Sequence, residues 1–184
     1  KHPMLNGKLD YVAAFTNNPE AHGIDICHNY NLDVRIGSHD NLNNDLSNFL
    51  MKYQPDLIIL AGYMKIIPKN IVNTYRTKII NIHPSVLPKY PGLNTYDKVI
   101  ENKDKYHGVT IHFVDETLDG GQIILQGIFE INKRYSKSEL EDITHKIEHK
   151  IYPIAIQWFA EGLITFDNGE FRFKDKVIES PITY

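Results

Sequence analysis

Apolar runs and stretches of helical periodicity alternate along the first half of the chain. Continuous apolar runs predict buried β-strands at residues 11–16, 33–36, 56–61 and 78–83. The segments between them predict helices at residues 40–53 and 68–75, and a first helix that starts close to Pro19. This alternation indicates parallel strands joined by right-handed crossovers.

The second half of the chain has a different pattern. Two strands, at residues 109–115 and 122–131, are separated by a short acidic loop, which favours an antiparallel pair at the edge of the sheet. A helix with Asn94 at its N-cap is expected before them. A long helix over residues 136–162 is expected after them, with a capping box at its start and Pro153 inside it, where a kink is expected.

Residues 167–169, Asp-Asn-Gly, separate two further apolar segments and predict a β-hairpin at the end of the chain. The fold class that follows is α/β. We expect a single open, mostly parallel, twisted sheet with helices on both faces, an antiparallel edge and a C-terminal hairpin. The sequence contains no repeat and no low-complexity linker, so one domain is expected over residues 1–184.

Composition narrows the function classes. The chain has 184 residues, of which 42% are hydrophobic and 23% charged, with a formal net charge of −3. That balance supplies no basic field for nucleic acid, and no apolar run approaches the roughly 18 residues of a membrane helix. Its one cysteine, Cys27, excludes an internal disulfide framework and fits a reducing compartment.

The first candidate for chemistry is the stretch at residues 79–92, where an apolar strand runs into a proline-rich loop. Asn81 and His83 lie two residues apart on this strand and therefore point to the same face. An amide donor beside an imidazole can hold a developing oxyanion and move a proton. The alternative is that the two polar groups only cap the backbone at a strand edge.

A second stretch, residues 109–121, ends in an acidic loop closed by two glycines. Asp119 in this loop could accept a hydrogen bond from His83 and stabilise its imidazolium. The three polar residues would then converge, directly or through one water.

Four segments together resemble glycinamide ribonucleotide formyltransferases. They read Asn-Ile-His-Pro-Ser at 81–85, Leu-Pro-Lys-Tyr-Pro-Gly at 87–92, Leu-Asp-Gly-Gly at 118–121 and Glu-His-Lys-Ile-Tyr-Pro at 148–153. The resemblance extends from about residue 11 to residue 163. It implies a cytoplasmic enzyme of purine biosynthesis, monomeric or homodimeric. Its substrates would be small molecules, with no nucleic acid or membrane partner.

The resemblance also implies roles for particular residues. Formyl transfer from the co-substrate 10-formyltetrahydrofolate, without a metal, would use Asn81, His83 and Asp119 as catalytic residues. The ribonucleotide would be bound by Glu148, His145 and Pro84, although His145 replaces the glutamine usual in the family. The folate would be contacted by Met64, Lys65, Ile66, Ile67, Asn81, Asp115, Glu116, Thr117, Leu118 and Asp119. For Met64 and Ile66 the alternative is that they fill the core.

Several other functions compete with this interpretation. A formyltetrahydrofolate deformylase shares the Asn, His and Asp order but departs from the proline-rich run, and a methionyl-tRNA formyltransferase needs a further domain. A folate-binding module without activity would not require Asn81, His83 and Asp119. Residues 145–149, His-Lys-Ile-Glu-His, also spell the inverted zinc-peptidase pattern, which would need a third ligand downstream.

Two further expectations come from the resemblance. The Leu87–Pro88 peptide bond is expected to be cis, as in family members. Family members also place a strand, a phosphate-binding loop and a helix before the strand at residues 11–16. Residues 1–10 are too few for these, so we expect the polypeptide to contain roughly 20–30 further residues at its amino end.

Overall fold

A computed structural model describes residues 3–132, 134–167 and 170–184 of the chain. A single 3-10 turn, Pro3–Leu5, precedes the α-helices and strands. The α-helices are α1 Gly23–Asn29, α2 Leu42–Tyr53, α3 Lys69–Thr74, α4 Thr95–Glu101 and α5 Lys137–Ala160. The strands are β1 Ala13–Thr16, β2 Asp33–Ile36, β3 Ile58–Leu60, β4 Ile79–His83, β5 Tyr106–Phe113, β6 Ile123–Glu130, β7 Ile164–Asp167, β8 Glu170–Phe173, β9 Lys176–Val177 and β10 Ile182–Thr183. No helix among the described residues combines the length and hydropathy needed to cross a bilayer.

The α/β class is confirmed, but the described strands do not form one sheet. β1 and β2 pair in parallel as a separate ladder, and a five-stranded sheet has the order β10-β6-β5-β4-β3. Within that sheet β4, β5 and β6 are antiparallel neighbours, whereas β3 runs parallel to β4 and β10 parallel to β6. The sheet is therefore mixed, with the expected antiparallel pair beside β4 and not at its outer edge.

The prediction that the strand at residues 56–61, here β3, is buried is wrong for the described residues. Its residues are only half-buried or exposed, and it stands at the end of the five-stranded sheet. A cleft of about 810 Å³ lies between β1 and β3, with largely apolar walls contributed also by α2 and the end of α5. No described strand pairs with β3 on that side, so the described residues do not enclose the apolar run at 56–61.

One local expectation about a helix start is also wrong. α1 begins at Gly23 and not near Pro19, because Asn18 closes a turn by accepting the backbone N–H of Glu20 at 3.0 Å. Asn94 occupies the N-cap position of α4, as expected, but in a left-handed conformation with φ of 60° and without a side-chain capping hydrogen bond. The capping box of α5 is confirmed, since the Ser136 and Glu139 side chains and backbone N–H groups bond reciprocally.

The core has two parts. The larger packs α5 and the C-terminal strands against β4, β5 and β6, with Ile80, Val109, Ile111 and Ile124 fully buried. The smaller joins α2 and α3 to β1, β3 and the start of β4. The C-terminal hairpin is confirmed by the pairing of β7 with β8, while the turn residues 168 and 169 lie outside the described residues.

Candidate active site

The polar residues of interest lie where β4 and β5 run side by side. Asn81 pairs with His112, and His83 with Thr110, in the antiparallel register of these strands. Side chains directly opposite one another in such a pair lie on the same face. Asn81, His83, Thr110 and His112 therefore form one polar row on this face of the sheet.

His83 is held between two hydrogen-bond acceptors. Its Nε2 lies 2.9 Å from the carbonyl oxygen of Tyr90 and its Nδ1 lies 3.4 Å from Oδ2 of Asp119. A carbonyl group only accepts, so Nε2 carries a proton. The ring of His83 is nearly excluded from water, with 7% of the side chain exposed.

Asp119 is placed by an unusual backbone. Its φ of 49° lies in the left-handed region, which aspartate tolerates better than most residues. The carboxylate also accepts the backbone N–H of Gly92 at 2.7 Å, which joins the acidic loop to the proline-rich loop. The loop returns to the sheet at Gly121, where a Cβ would lie 1.9 Å from the carbonyl oxygen of Phe113, so that only glycine fits.

His112 completes the arrangement and was missed from the sequence. Its Nδ1 donates to the carbonyl oxygen of Phe113 at 2.8 Å, and burial lowers its pKa, so the ring is neutral with an unprotonated Nε2. That nitrogen accepts from Nδ2 of Asn81 at 3.3 Å and lies 3.7 Å from Oδ1 of Asp119. His112 thus fixes the orientation of the Asn81 amide. Only the β4–β5 register could have revealed it.

The predicted convergence is confirmed for His83 and Asp119, whose Nδ1 and Oδ2 lie 3.4 Å apart. Asn81 contacts neither of them directly. Its amide contacts His112, whose Nε2 lies 3.7 Å from Oδ1 of Asp119.

The loop after β4 is fixed by buried hydrogen bonds. The Thr110 hydroxyl donates to the carbonyl oxygen of Ser85 at 2.7 Å and accepts the backbone N–H of Leu87 at 3.0 Å. The Gln126 amide donates to the carbonyl oxygen of Leu87 at 2.8 Å. The Leu87–Pro88 peptide bond is cis, as predicted. Buried polar groups satisfied in this way hold a loop in one conformation.

The predicted folate-lining residues after β3 are at the surface. Met64 is 72% exposed and Ile66 85% exposed, so neither fills the core. Lys65 is also exposed, whereas Ile67 packs into the smaller core. Leu118 on the acidic loop is 65% exposed. Large apolar side chains in water at the end of a strand are typical of a ligand-binding surface.

Glu116 in the acidic loop, predicted to contact the folate, makes structural contacts with α3. Glu116 forms an ion pair with Lys69 at 2.9 Å and accepts from Asn73, and the hydrogen bond from Lys69 lowers its pKa. Glu116 therefore ties the loop to α3. Asp115 accepts the backbone N–H of Thr117 at 2.7 Å, which shapes the turn that precedes Asp119.

The substrate-binding residues predicted on α5 lie beside α4. Burial raises the pKa of Glu148, an effect that the nearby His145 and His149 oppose. Tyr96 on α4 is close enough that burial, followed by the Glu148 charge, raises its pKa to about 12. Its ring lies 5.5 Å from that of His107, a fully buried residue whose Nε2 has no hydrogen-bond partner. Pro84 is half-buried directly after His83, and His145 is exposed.

Among the described residues, no third ligand lies near the two histidines of the inverted zinc-peptidase pattern. The described ranges contain no group of three or more histidine, cysteine or acidic side chains placed to hold a metal ion. His145 and His149 are both exposed on α5.

Comparison with known proteins agrees with the geometry. The Formyl transferase family profile matches residues 6–156. A phosphoribosylglycinamide formyltransferase of Haemophilus influenzae is 41% identical over 157 residues, which cover 82% of this chain and 74% of that protein. The Escherichia coli protein of the same name is 36% identical over 159 residues, with the same coverage.

Solved structures give the same result. A phosphoribosylglycinamide formyltransferase from Coxiella burnetii superposes with a TM-score of 0.90 at 31% identity, covering 97% of this chain and 88% of that one. A formyltetrahydrofolate deformylase from Pseudomonas syringae has a TM-score of 0.83, with 89% of this chain and 56% of that one covered. Its identity of 22% shows a shared fold alone. By sequence profile, relatives and fold, the chain belongs to the formyl transferase family.

Proposed function

We propose that this chain transfers the formyl group of 10-formyltetrahydrofolate to the amino group of glycinamide ribonucleotide, a step of purine nucleotide biosynthesis. The relatives that it matches over most of its length carry the name of this activity. The observation that carries the proposal is His83, held between Asp119 and the Tyr90 carbonyl beside an oriented Asn81. Both substrates are small molecules.

The reaction requires three events. The neutral amine attacks the formyl carbon and forms a C–N bond, while negative charge develops on the formyl oxygen. The bond from that carbon to the folate nitrogen then breaks. The proton that the amine loses goes to the departing nitrogen, so that atoms and charges balance without an oxidant or a reductant.

Asn81 and His83 stabilise the developing charge. One N–H of the Asn81 amide is occupied by His112, which leaves the second for the formyl oxygen. His83 Nε2–H donates its hydrogen bond to the neutral Tyr90 carbonyl, while Nδ1 faces the Asp119 carboxylate. Since an oxyanion is a stronger acceptor than a neutral carbonyl, the Nε2 proton is the one that transfers its hydrogen bond to the substrate. Asp119 retains the charge on the ring and positions a water that carries the proton.

The folate is bound at the carboxyl end of β3 and along the acidic loop. The exposed Met64, Ile66 and Leu118 supply apolar area for its ring system. Lys65, Ile67, Asp115 and Thr117 shape this surface. Glu116 contributes indirectly, through its attachment of the loop to α3.

The amino end of glycinamide ribonucleotide is bound by Glu148. A half-buried carboxylate with a raised pKa is an unfavourable group to keep in a protein, and a cationic or N–H-rich ligand removes that penalty. His145, one turn earlier on α5, and Pro84, next to His83, border the same ligand.

Formyl transfer is tested by release of tetrahydrofolate from 10-formyltetrahydrofolate with and without glycinamide ribonucleotide. The proposal predicts release that depends on the ribonucleotide and is lost in Asn81→Ala and Asp119→Asn. Release at the same rate without it, with formate as product, would identify a hydrolase and overturn the proposal.

A further inference from the structure

The Tyr90 carbonyl accepts the hydrogen bond of His83 in the free protein, and the Asp104 carboxylate binds the side chain of the same tyrosine. Oδ2 of Asp104 accepts the Tyr90 hydroxyl at 2.8 Å, and both carboxylate oxygens accept from Lys89 Nζ, at 3.1 and 3.3 Å. Asp104 lies in the turn between α4 and β5. Its side chain is 15% exposed, so the bond from the Tyr90 hydroxyl is partly buried, whereas the bonds from Lys89 are exposed to water.

The backbone of Tyr90 needs such a fastening. Its φ of 56° lies in the left-handed region, which is strained for an aromatic residue. That conformation directs the carbonyl oxygen to His83 Nε2 at 2.9 Å, while the phenol of the same residue points to Asp104. The two ends of Tyr90 therefore link Asp104 to His83. A tyrosine free of its hydroxyl bond could relax and withdraw the carbonyl.

We propose that Asp104 is a positioning residue for His83, which it holds in register for formyl transfer through the Tyr90 phenol and carbonyl. Asp119 fixes one nitrogen of the ring and Tyr90 the other. Loss of the second contact leaves the imidazole free to turn about its remaining partner. This inference rests on the proposed function for its kinetic consequence and on geometry alone for the orientation of the ring.

The chain contains a matched control. Lys52 and Tyr53, at the end of α2, donate to Asp33 on β2 with their ammonium and hydroxyl groups. In both this group and the group of Lys89, Tyr90 and Asp104, a lysine is followed directly by a tyrosine, and both side chains donate to one aspartate. The Asp33 group holds no loop next to His83, and its carboxylate is 59% exposed.

The kinetic test compares equivalent variants of the two groups. Tyr90→Phe and Asp104→Ala are expected to lower kcat roughly 10-fold, because small displacements of a reacting group cost one to two orders of magnitude in rate. KM for both substrates should change less than about threefold, since neither side chain is placed against a substrate. The double variant should be no slower than either single one, because both remove the same link. Tyr53→Phe and Asp33→Ala should leave kcat unchanged.

The structural test does not require activity. Imidazole nitrogen chemical shifts of His83, measured by NMR on labelled protein without substrate, report whether each ring nitrogen is protonated and hydrogen-bonded. Tyr90→Phe should alter the Nε2 signal and leave Nδ1 paired with Asp119, and Tyr53→Phe should alter neither. Wild-type His83 signals in Tyr90→Phe would overturn the proposal, as would equal losses of kcat in the Asp33 and Asp104 variants. An inactive wild type whose Nε2 signal still depends on Tyr90 would leave the positioning intact and refute only the proposed function.

Discussion

The two halves of the molecule differ in how completely they are packed. In β5, seven of eight residues are buried, whereas no residue of β1, β2 or β3 is. The polar side chains of the proposed chemistry all stand on the packed half, between β4, β5 and the loops that follow them. The open half contributes exposed apolar side chains at the end of β3. The residues proposed to stabilise charge lie where packing excludes water, and the exposed apolar side chains lie where packing is loose.

The largest contrast is expected in rate. His83→Ala removes the only side chain that spans Asp119 and the Tyr90 carbonyl among the described contacts of the loop, and should lower kcat about 100-fold or more with a smaller change in KM. His28→Ala, an exposed histidine of α1 in the open half, should leave both constants unchanged. Steady-state kinetics on both variants, with circular dichroism to verify folding, makes the comparison. Equal activity of the two variants would mean that the packed half does not carry the chemistry.

The next contrast concerns stability. Ile111→Ala empties a position with 0% exposure in the centre of β5 and should cost about 3 kcal/mol of unfolding free energy. The same substitution at Ile59, 36% exposed in β3, should cost less than about 1 kcal/mol. Urea denaturation of each variant gives the two values. Similar costs would show that β3 is enclosed in solution and would contradict the comparison.

The smallest expected contrast is in the direction in which two carboxylates change the stability of the fold as pH rises. Burial raises the pKa of Glu148 above its unfolded value, so the folded state binds more protons between the two values and loses stability as pH rises through them. Glu148→Gln should therefore stabilise the free protein at pH 7, by an amount that fades below the ordinary glutamate range, and raise KM for the ribonucleotide roughly 10-fold.

Asp45 in the open half provides the opposite case. A hydrogen bond from the Ser38 backbone N–H lowers its pKa, so its charged form supports folding above the ordinary aspartate range and this support is lost as pH falls. Asp45→Asn should destabilise at pH 7 and leave KM unchanged. Urea midpoints at pH 7 and pH 4 for both variants test the pair; a shift in the same direction at pH 7 would contradict the assignment.

The residues that the sequence predicted correctly are those whose placement depends on local pattern. Asn81 and His83 were recognisable because the two-residue period of a strand fixes their common face without any knowledge of neighbours. Asp119 was recognisable because a pair of glycines marks a tight loop, one of which proves obligatory against Phe113. His112 was missed because its role depends on which residue of β4 it faces, and register between strands is not a local property.

The open half was predicted less well for a physical reason. The apolar run containing β3 has the composition of a covered strand, yet its burial depends on what lies beside it, and the described strands leave a cleft there. The beginning of α1 was misplaced because the Asn18 side chain competes for the backbone N–H of Glu20, a choice that helical periodicity does not register. Met64 and Ile66 were equally consistent with core or surface until their exposure was known.

The measurement that tests the central claim most directly is the fate of the formyl carbon. 10-Formyltetrahydrofolate labelled with ¹³C in the formyl group is mixed with the full polypeptide and glycinamide ribonucleotide for a single turnover, and the products are resolved by mass spectrometry. The account predicts that the label appears in formylglycinamide ribonucleotide in the wild type and stays in the folate in His83→Ala. Label recovered as formate, or transferred equally well by His83→Ala, would contradict it.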